Sequence, residues 1–237
     1  MQTLLILGSG PNALEAREWA REPFDHVLAI NNAWRVRPDW DELIHPCDFP
    51  VDRRPTFGRT TTYRDYVPAQ NTYGGFVYAG GTMAFTAAYW ALSHHRPRTI
   101  AVMGCDMVYP RTQNTHFYGT GTADPLRDDV TLQSLEAKSA RLMIHAARQG
   151  CAMVNLSSGE SRLVFPRATP ETAADVALPR WDRELEAQAR QTEQRLGYYV
   201  PSGEYWKEEH RFNAAKLRAL DALWLRAVGG EPQALVA

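Results

Sequence analysis

Glycine, hydroxyl and amide side chains near the N-terminus form a motif suited to phosphate binding. The apolar run Leu4-Leu5-Ile6-Leu7 leads directly into Gly8-Ser9-Gly10-Pro11-Asn12. A buried strand that ends in a glycine turn and opens a helix, here predicted over residues 13–20, is how many α/β proteins hold a phosphate. The third glycine of the dinucleotide fingerprint is missing, so the motif does not indicate a standard NAD site. The structural alternative is a tight turn that binds no ligand.

The histidines and carboxylates elsewhere do not show the spacing of a metal site. His45 lies near Asp48 and Asp52, but prolines interrupt this segment, so no regular face presents the three side chains together. His94 and His95 are adjacent, so their side chains point in different directions and indicate a solvated helix C-terminus. We therefore expect no metal site. The lack of an Asp-x-Asp motif at a strand end also favours metal-independent chemistry.

Other signals exclude several classes of function. The Gly-Lys-Ser/Thr ending of a P-loop kinase and the Gly-x-Ser-x-Gly motif of a serine hydrolase are both missing from the sequence. Cys47, Cys105 and Cys151 are widely spaced and odd in number, which indicates reduced thiols and not a disulfide framework or a zinc site. The formal net charge of −1 argues against nucleic acid as a partner.

Composition indicates a soluble globular protein with a sizeable core, since 44% of the 237 residues are hydrophobic. No apolar stretch approaches the roughly 20 residues that span a bilayer. The chain enters its first strand almost directly after Met1, which leaves no room for a signal peptide. We therefore expect a cytoplasmic protein without a transmembrane segment.

The elements that must position these residues alternate between strands and helices. Strands are predicted at residues 4–7, 26–30, 99–103 and 152–156, and helices at 13–20, 82–92 and 131–149. Each strand ends in Gly, Asn, Asp or Ser, and the carboxyl ends of parallel strands meet at one edge of a sheet. The sequence thus predicts an α/β fold: one Rossmann-like domain with a mostly parallel sheet flanked by helices.

The chain divides into a main domain and an appendage. We expect the Rossmann-like, nucleotide-sugar-binding domain over residues 1–168. Within it the Pro-, Asp- and Arg-rich residues 35–72 are expected to form an irregular lid or insertion, in which Leu43-Ile44 is a candidate short strand. Residues 169–237 are expected to be a helical appendage, with helices over 171–196 and 208–228. The appendage could cap the site, bind an acceptor or join two copies as a homo-oligomer.

The order and spacing of these motifs resemble a known family. The glycine motif, Asn31, Gly80-Gly81-Thr82 and Gly104-Cys105-Asp106 resemble the bacterial lipooligosaccharide sialyltransferases that use CMP-activated sugars. They also resemble the related domain of motility accessory factors and of an archaeal hydroxymethylpterin pyrophosphokinase. The likeness covers about residues 3–165 and implies a metal-independent glycosyltransferase. Its substrates would be a nucleotide sugar, CMP-linked by this resemblance, and a glycan or other hydroxyl-bearing acceptor, with no permanently bound cofactor.

The resemblance also implies which residues bind the donor. They are Gly8, Ser9, Gly10, Pro11, Asn12, Asn31, Gly81, Thr82, Gly104 and Asp106. Within this set the glycine motif would cradle the phosphate and ribose, and Asn31 would hydrogen-bond the nucleotide or the reacting sugar. Thr82 would lie against the donor, and Asp106 would hold the ribose or a loop.

Catalytic roles follow from the same resemblance. Tyr109 and Tyr118 match the family's phosphate-facing tyrosines and, with Arg111, would stabilise the departing phosphate. The family places its histidine base just before the helix that here follows residue 130, where this chain has carboxylates. His116 is the nearest histidine, and an imidazole suits proton abstraction near neutral pH. Asp128 or the adjacent carboxylate at position 129 is the alternative base.

Two other functions stay open at this point. A pyrophosphokinase-like phosphoryl transferase on the same scaffold would need magnesium and ATP. A nucleotide-binding module without catalysis would account for the missing family histidine.

Overall fold

Six strands form one all-parallel sheet in this computed structural model, which describes residues 1–109, 114–120 and 128–230. The strands are β1 (Thr3–Leu7), β2 (His26–Ile30), β3 (Glu42–Ile44), β4 (Arg59–Thr61), β5 (Thr99–Met103) and β6 (Ala152–Asn155). They pair in the order β4-β3-β2-β1-β5-β6. The sheet and its flanking helices confirm the predicted α/β, Rossmann-like fold.

The central strands are apolar because both of their faces are covered. All five residues of β1 and all five of β5 are buried, as is typical of a parallel strand packed between helical layers. Leu4 pairs with Ile100 on one side and with His26 on the other. The chain runs outward from β1 to β4 and then returns to the other side of β1, so the direction of strand order reverses between β1 and β5. Open α/β sheets bind ligands at such a reversal.

Helices cover the sheet and extend the molecule beyond it. The α-helices are α1 (Tyr63–Asn71), α2 (Phe76–Ala79), α3 (Met83–Trp90), α4 (Leu135–Arg148), α5 (Arg183–Leu196) and α6 (Ala214–Ala227). A π-helical segment, Ala91–His95, follows α3 directly. Short 3₁₀ helices cover Pro11–Arg17, Asn31–Arg35, Val51–Arg53, Val130–Leu132, Ala173–Asp175 and Tyr205–Arg211. None of the described helices is both long enough and apolar enough to cross a membrane.

Two local predictions differ from the structure. The helix expected over 13–20 is a seven-residue 3₁₀ helix, Pro11–Arg17, so a strong helix dipole does not stand behind the glycine motif. Residues 35–72, expected to be an irregular lid, contain β3, β4 and α1. Both strands have only three residues, and two of the three in β4 are exposed, so the segment lacks the apolar runs that reveal a strand.

The appendage is helical and packs on the main domain. Helix α5 begins at Arg183, not at 171, because Asp182 caps it by accepting from the N–H groups of Glu184 and Leu185. Apolar side chains of α5 and α6 share one buried cluster with residues of α2 and α4. A fully buried ion pair joins Lys138 Nζ to Asp221 Oδ1 at 2.8 Å. The described part of the appendage therefore shares its core with the main domain.

Candidate functional site

A cavity of about 470 Å³ opens at the carboxyl edge of the sheet, where the strand order reverses. Most of the sequence-predicted site residues line it: Gly8, Ser9, Gly10, Pro11, Asn12, Asn31, Thr82, Gly104, Asp106, Tyr109, His116 and Tyr118. Gly81 and Asp128 are described by the structure but do not line this cavity. Its size falls within the range of about 300–1,000 Å³ for small-molecule sites.

Gly8 and Gly10 bring the turn after β1 against the turn after β5. Gly8 N donates to Met103 O and Gly10 N donates to Gly104 O, each at 2.8 Å. A Cβ on Gly8 would overlap Gly104 O, and one on Gly10 would lie 2.9 Å from the same oxygen. Because both N–H groups are already paired, these two glycines act here by permitting close packing and do not offer N–H groups to a phosphate.

Polar side chains join the ends of three strands behind the cavity. Asn12 Nδ2 donates to Asp106 Oδ2 at 2.7 Å and to Ser157 Oγ at 2.8 Å. Asn155 Nδ2 donates to the other oxygen of Asp106 at 3.0 Å. The Asp106 carboxylate is thus held from both sides, which makes this wall of the cavity rigid. Sequence reasoning did not identify Asn155, because it is the last residue of β6 and nothing in a strand pattern marks it.

Asn31 has a strained backbone and an unpaired polar atom. Its φ is +52°, in the left-handed region that side-chain-bearing residues seldom adopt. Its Oδ1 is buried and has no hydrogen-bond partner among the described residues. Buried acceptors are normally satisfied, and Asn31 lines the cavity, so this oxygen is available to a donor on a ligand.

The loop that carries His116 is folded over the glycine motif. Phe117 N donates to Ser9 O at 3.0 Å, and His116 and Gly119 exchange two backbone hydrogen bonds at 3.0 and 3.1 Å. The His116 ring stacks on Tyr118, with 5.0 Å between ring centroids. These contacts place the predicted histidine base and a predicted phosphate-facing tyrosine on the same side of the cavity.

His116 has the properties of a base at neutral pH. Burial lowers its pKa below the ordinary value of 6.5, so the imidazole is neutral at pH 7. Its Nδ1 lies 2.8 Å from Thr115 Oγ1. When Nδ1–H donates to that hydroxyl, Nε2 carries the lone pair that accepts a proton. The Tyr109 ring centroid lies 6.3 Å from that of His116.

The alternative bases are placed differently. Asp128 is exposed and outside the cavity lining. The neighbouring Asp129 is buried, and its two oxygens accept from Thr131 Oγ1 and from Tyr205 OH, each at 2.7 Å. Thr131 Oγ1 in turn accepts from Gly81 N at 2.9 Å. Asp129 thus supports the turn before α3, and His116 is the candidate base that lines the cavity.

The charged side chains on the described cavity wall are mainly acidic. Asp106 and Glu160 line the cavity, and the described lining residues include no lysine or arginine. Arg111, which the sequence analysis assigns to the leaving phosphate, lies outside the described residues. In this part of the wall, hydroxyl and amide groups supply the hydrogen bonds available to a ligand.

No family model, curated protein or solved structure matches this chain.

Proposed function

We propose that the protein is a metal-independent, sialyltransferase-like glycosyltransferase that uses a nucleotide-activated sugar, CMP-linked in our assignment, in the cytoplasm. The observation that carries the proposal is the meeting of Asn31, the glycine motif and the His116 loop in one cavity at the strand-order reversal. Their convergence supports a site that binds a nucleotide and acts on it.

Asn31 and the rigid wall support nucleotide binding. The unpaired Asn31 Oδ1 suits a donor such as a ribose hydroxyl or the exocyclic amine of a cytosine. Asp106 is held by two asparagine side chains, so it can accept from a ligand hydroxyl without moving. A preorganised wall of this kind reduces the entropy lost on binding.

His116 would act as the general base in an inverting transfer. Nε2 takes the proton from the acceptor hydroxyl while that oxygen attacks the anomeric carbon of the donor. The bond between this carbon and the phosphate oxygen breaks, and its electron pair leaves with the nucleotide monophosphate. The hydroxyls of Tyr109 and Tyr118, which line the same cavity, would donate to the departing phosphate.

The two carboxylates on the cavity wall favour a second candidate. Asp106 and Glu160 are hard oxygen ligands of the type that Mg²⁺ prefers. A pyrophosphokinase-like enzyme would use them to hold the magnesium of Mg-ATP during phosphoryl transfer. This alternative predicts strict dependence on magnesium, whereas the transferase would act in its absence.

Release of CMP from CMP-N-acetylneuraminic acid in EDTA, in the presence of a hydroxyl-bearing glycan acceptor, tests the transferase directly. We expect turnover by the wild type and a loss of about 100-fold or more in His116→Ala. His210→Ala, which removes an exposed histidine of the appendage, should keep full activity. Because burial lowers the pKa of His116, the neutral base predominates at pH 6.5 and above, and kcat/KM should decline only below that pH.

Three other outcomes would contradict the proposal, and two of them would indicate a different function. Full activity in His116→Ala would remove the proposed base. Tight CMP binding with an unchanged donor after long incubation would indicate a non-catalytic nucleotide-binding module. Turnover of ATP only with magnesium would indicate the pyrophosphokinase.

A further inference from the structure

Three metal-ligating side chains converge at the amino edge of the sheet, opposite the cavity. His26 begins β2, Glu42 begins β3, and His95 ends the π-helical segment after α3. Their ligand atoms all lie within 4.8 Å of one another. His26 Nε2 and His95 Nε2 approach the same oxygen, Glu42 Oε2, at 3.2 and 2.8 Å. The sequence analysis interpreted His95 as part of a solvated helix end, but its side chain is only 9% exposed.

The Glu42 carboxylate is fully buried, and its other oxygen is already engaged. Trp90 Nε1 donates to Oε1 at 2.9 Å, and Thr61 Oγ1 donates to the same atom. Arg59 Nε lies 3.7 Å from Oε1, on an exposed side chain. These contacts fix the orientation of the carboxylate, so Oε2 faces the two imidazoles. A buried carboxylate oxygen in that position needs a positive partner.

His26 stands between two carboxylates, Glu42 and Asp41. Its Nε2 faces Glu42, and its Nδ1 lies 3.8 Å from Asp41 Oδ2. A neutral imidazole has one N–H. If that N–H points to Asp41, the Nε2 lone pair points at Glu42 Oε2, and either a second proton on the imidazole or a metal cation must lie between the two atoms. Asp41 Oδ2 lies 3.8 Å from Nδ1, too far for a hydrogen bond, on the side of the ring where a metal-bound histidine usually donates to a carboxylate.

We propose that His26, Glu42 and His95 bind one divalent transition-metal ion, with Zn²⁺ as the best fit. Zinc takes imidazole nitrogen and carboxylate oxygen at about 2.0–2.2 Å, which separates tetrahedral ligands by about 3.3 Å. The nitrogen–oxygen distances of 2.8 and 3.2 Å are close to this separation, and the two imidazole nitrogens, which lie within 4.8 Å of each other, would have to reach it as well. The two histidine side chains are 14% and 9% exposed, so a water molecule can reach the fourth position.

The ion would link β2, β3 and the segment that follows α3. Asn31 lies at the other end of β2 and Thr82 at the other end of α3, and both line the cavity. The five residues of β2 span about 17 Å, so the ion would not contact a ligand in the cavity. The site is therefore a structural clamp, and the proposal does not depend on the proposed transferase function.

Metal binding by the full chain, stripped with EDTA, tests this proposal. Zn²⁺ would be titrated in competition with a chromogenic chelator, and Co²⁺ would be added separately to record its visible ligand-field spectrum. We expect one equivalent of Zn²⁺ to bind, a rise in Tm on binding, and a Co²⁺ spectrum typical of four or five ligands. Binding should weaken at least 100-fold in His26→Ala and in His95→Ala.

His94→Ala is the matched control, since the His94 ring stacks on Trp90 at 4.3 Å between centroids and is not part of the cluster. This variant should bind zinc like the wild type. His95→Gln separates loss of zinc binding from loss of folding, because a glutamine amide can still donate to Glu42 but binds zinc poorly. A folded His95→Gln that binds zinc as tightly as wild type would overturn the proposal. So would a wild type with no saturable binding, or equal losses in His94→Ala and His95→Ala.

Discussion

The two ends of β2 differ in how their polar groups are satisfied. At the carboxyl end, Asn31 has a left-handed backbone and a buried oxygen without a partner among the described residues, beside a cavity. At the amino end, His26 and His95 face one oxygen of the fully buried Glu42, and its other oxygen accepts from Trp90 and Thr61. In our proposal the first arrangement binds a ligand, and the second joins β2, β3 and the segment that follows α3. Substitutions at the two ends should therefore affect different properties: binding at one and stability at the other.

Removing the buried carboxylate should have the largest effect on stability. Glu42→Ala leaves Trp90 Nε1 and both histidines without their acceptor inside the protein. We expect the free energy of unfolding to fall by about 3–4 kcal/mol, measured by chemical denaturation. Under conditions where the variant is folded, its Kd for CMP should equal that of the wild type. A loss of CMP binding in folded Glu42→Ala would contradict the separate roles of the two ends of β2.

The second-largest effect on stability is expected where the turn after β1 packs against the turn after β5. Gly8→Ala places a Cβ on the backbone oxygen of Gly104, and no rotamer change can relieve that overlap. We expect a loss of about 2–3 kcal/mol in the free energy of unfolding, together with weaker CMP binding. Gly159→Ala is the control at the same edge, since its Cβ would meet Ser157 Oγ at 3.8 Å, an ordinary contact. The control should change stability by less than about 0.5 kcal/mol.

Asn31 offers the reverse test, a loss of binding without a loss of stability. Asn31→Gly removes the amide but tolerates the φ of +52°, so stability should stay equal or rise by up to about 1 kcal/mol. The Kd for CMP, measured by isothermal titration calorimetry, should rise about tenfold, as for one lost hydrogen bond. Asn31→Ala should bind as weakly as Asn31→Gly but be less stable, because alanine keeps the backbone strain. Equal CMP affinity in all three proteins would contradict the assigned role.

The dependence of stability on acid pH tests the role of Glu42 at the amino end of the sheet. Burial alone would raise the pKa of Glu42, but hydrogen bonds from His26, His95 and Thr61 outweigh it and hold the pKa well below 4.5. The stability from this ionised carboxylate is therefore full above pH 4.5 and is lost as the pH falls toward the folded-state pKa. The unfolding free energy of Glu42→Gln should depend less steeply on pH below 4.5 than that of the wild type. Parallel slopes would show that Glu42 is not the group responsible.

Much of the fold and of the cavity lining could be predicted from the sequence, because both depend on strong local signals. The long apolar strands and the glycine, asparagine and aspartate at their ends determine the sheet edge at which Asn31 and Asp106 meet. In residues 35–72 the sequence indicates β3 through the apolar pair Leu43-Ile44, but it does not indicate β4, because two of the three β4 residues are exposed and form no apolar run. The sequence also gave no sign that Gly8 N and Gly10 N are paired with the β5 turn.

The cluster at the amino edge escaped prediction for a different reason. His26, Glu42 and His95 are far apart in sequence and come from two strands and a π-helical segment. The three side chains come together because β2 and β3 are neighbours in the sheet and because the segment after α3 ends beside their first residues. A glutamate that begins a three-residue strand also resembles an ordinary exposed residue until its burial is known.

Calorimetric titration of the wild type and Asn31→Gly with CMP, with and without Mg²⁺, tests the central claim most directly. That claim is that the cavity at the carboxyl edge binds a nucleotide through Asn31. We predict saturable binding of CMP by the wild type without magnesium, and about tenfold weaker binding by Asn31→Gly. The absence of binding by CMP, CDP, UDP, GDP, ADP and ATP under both conditions would contradict the claim, as would CMP binding that Asn31→Gly leaves unchanged.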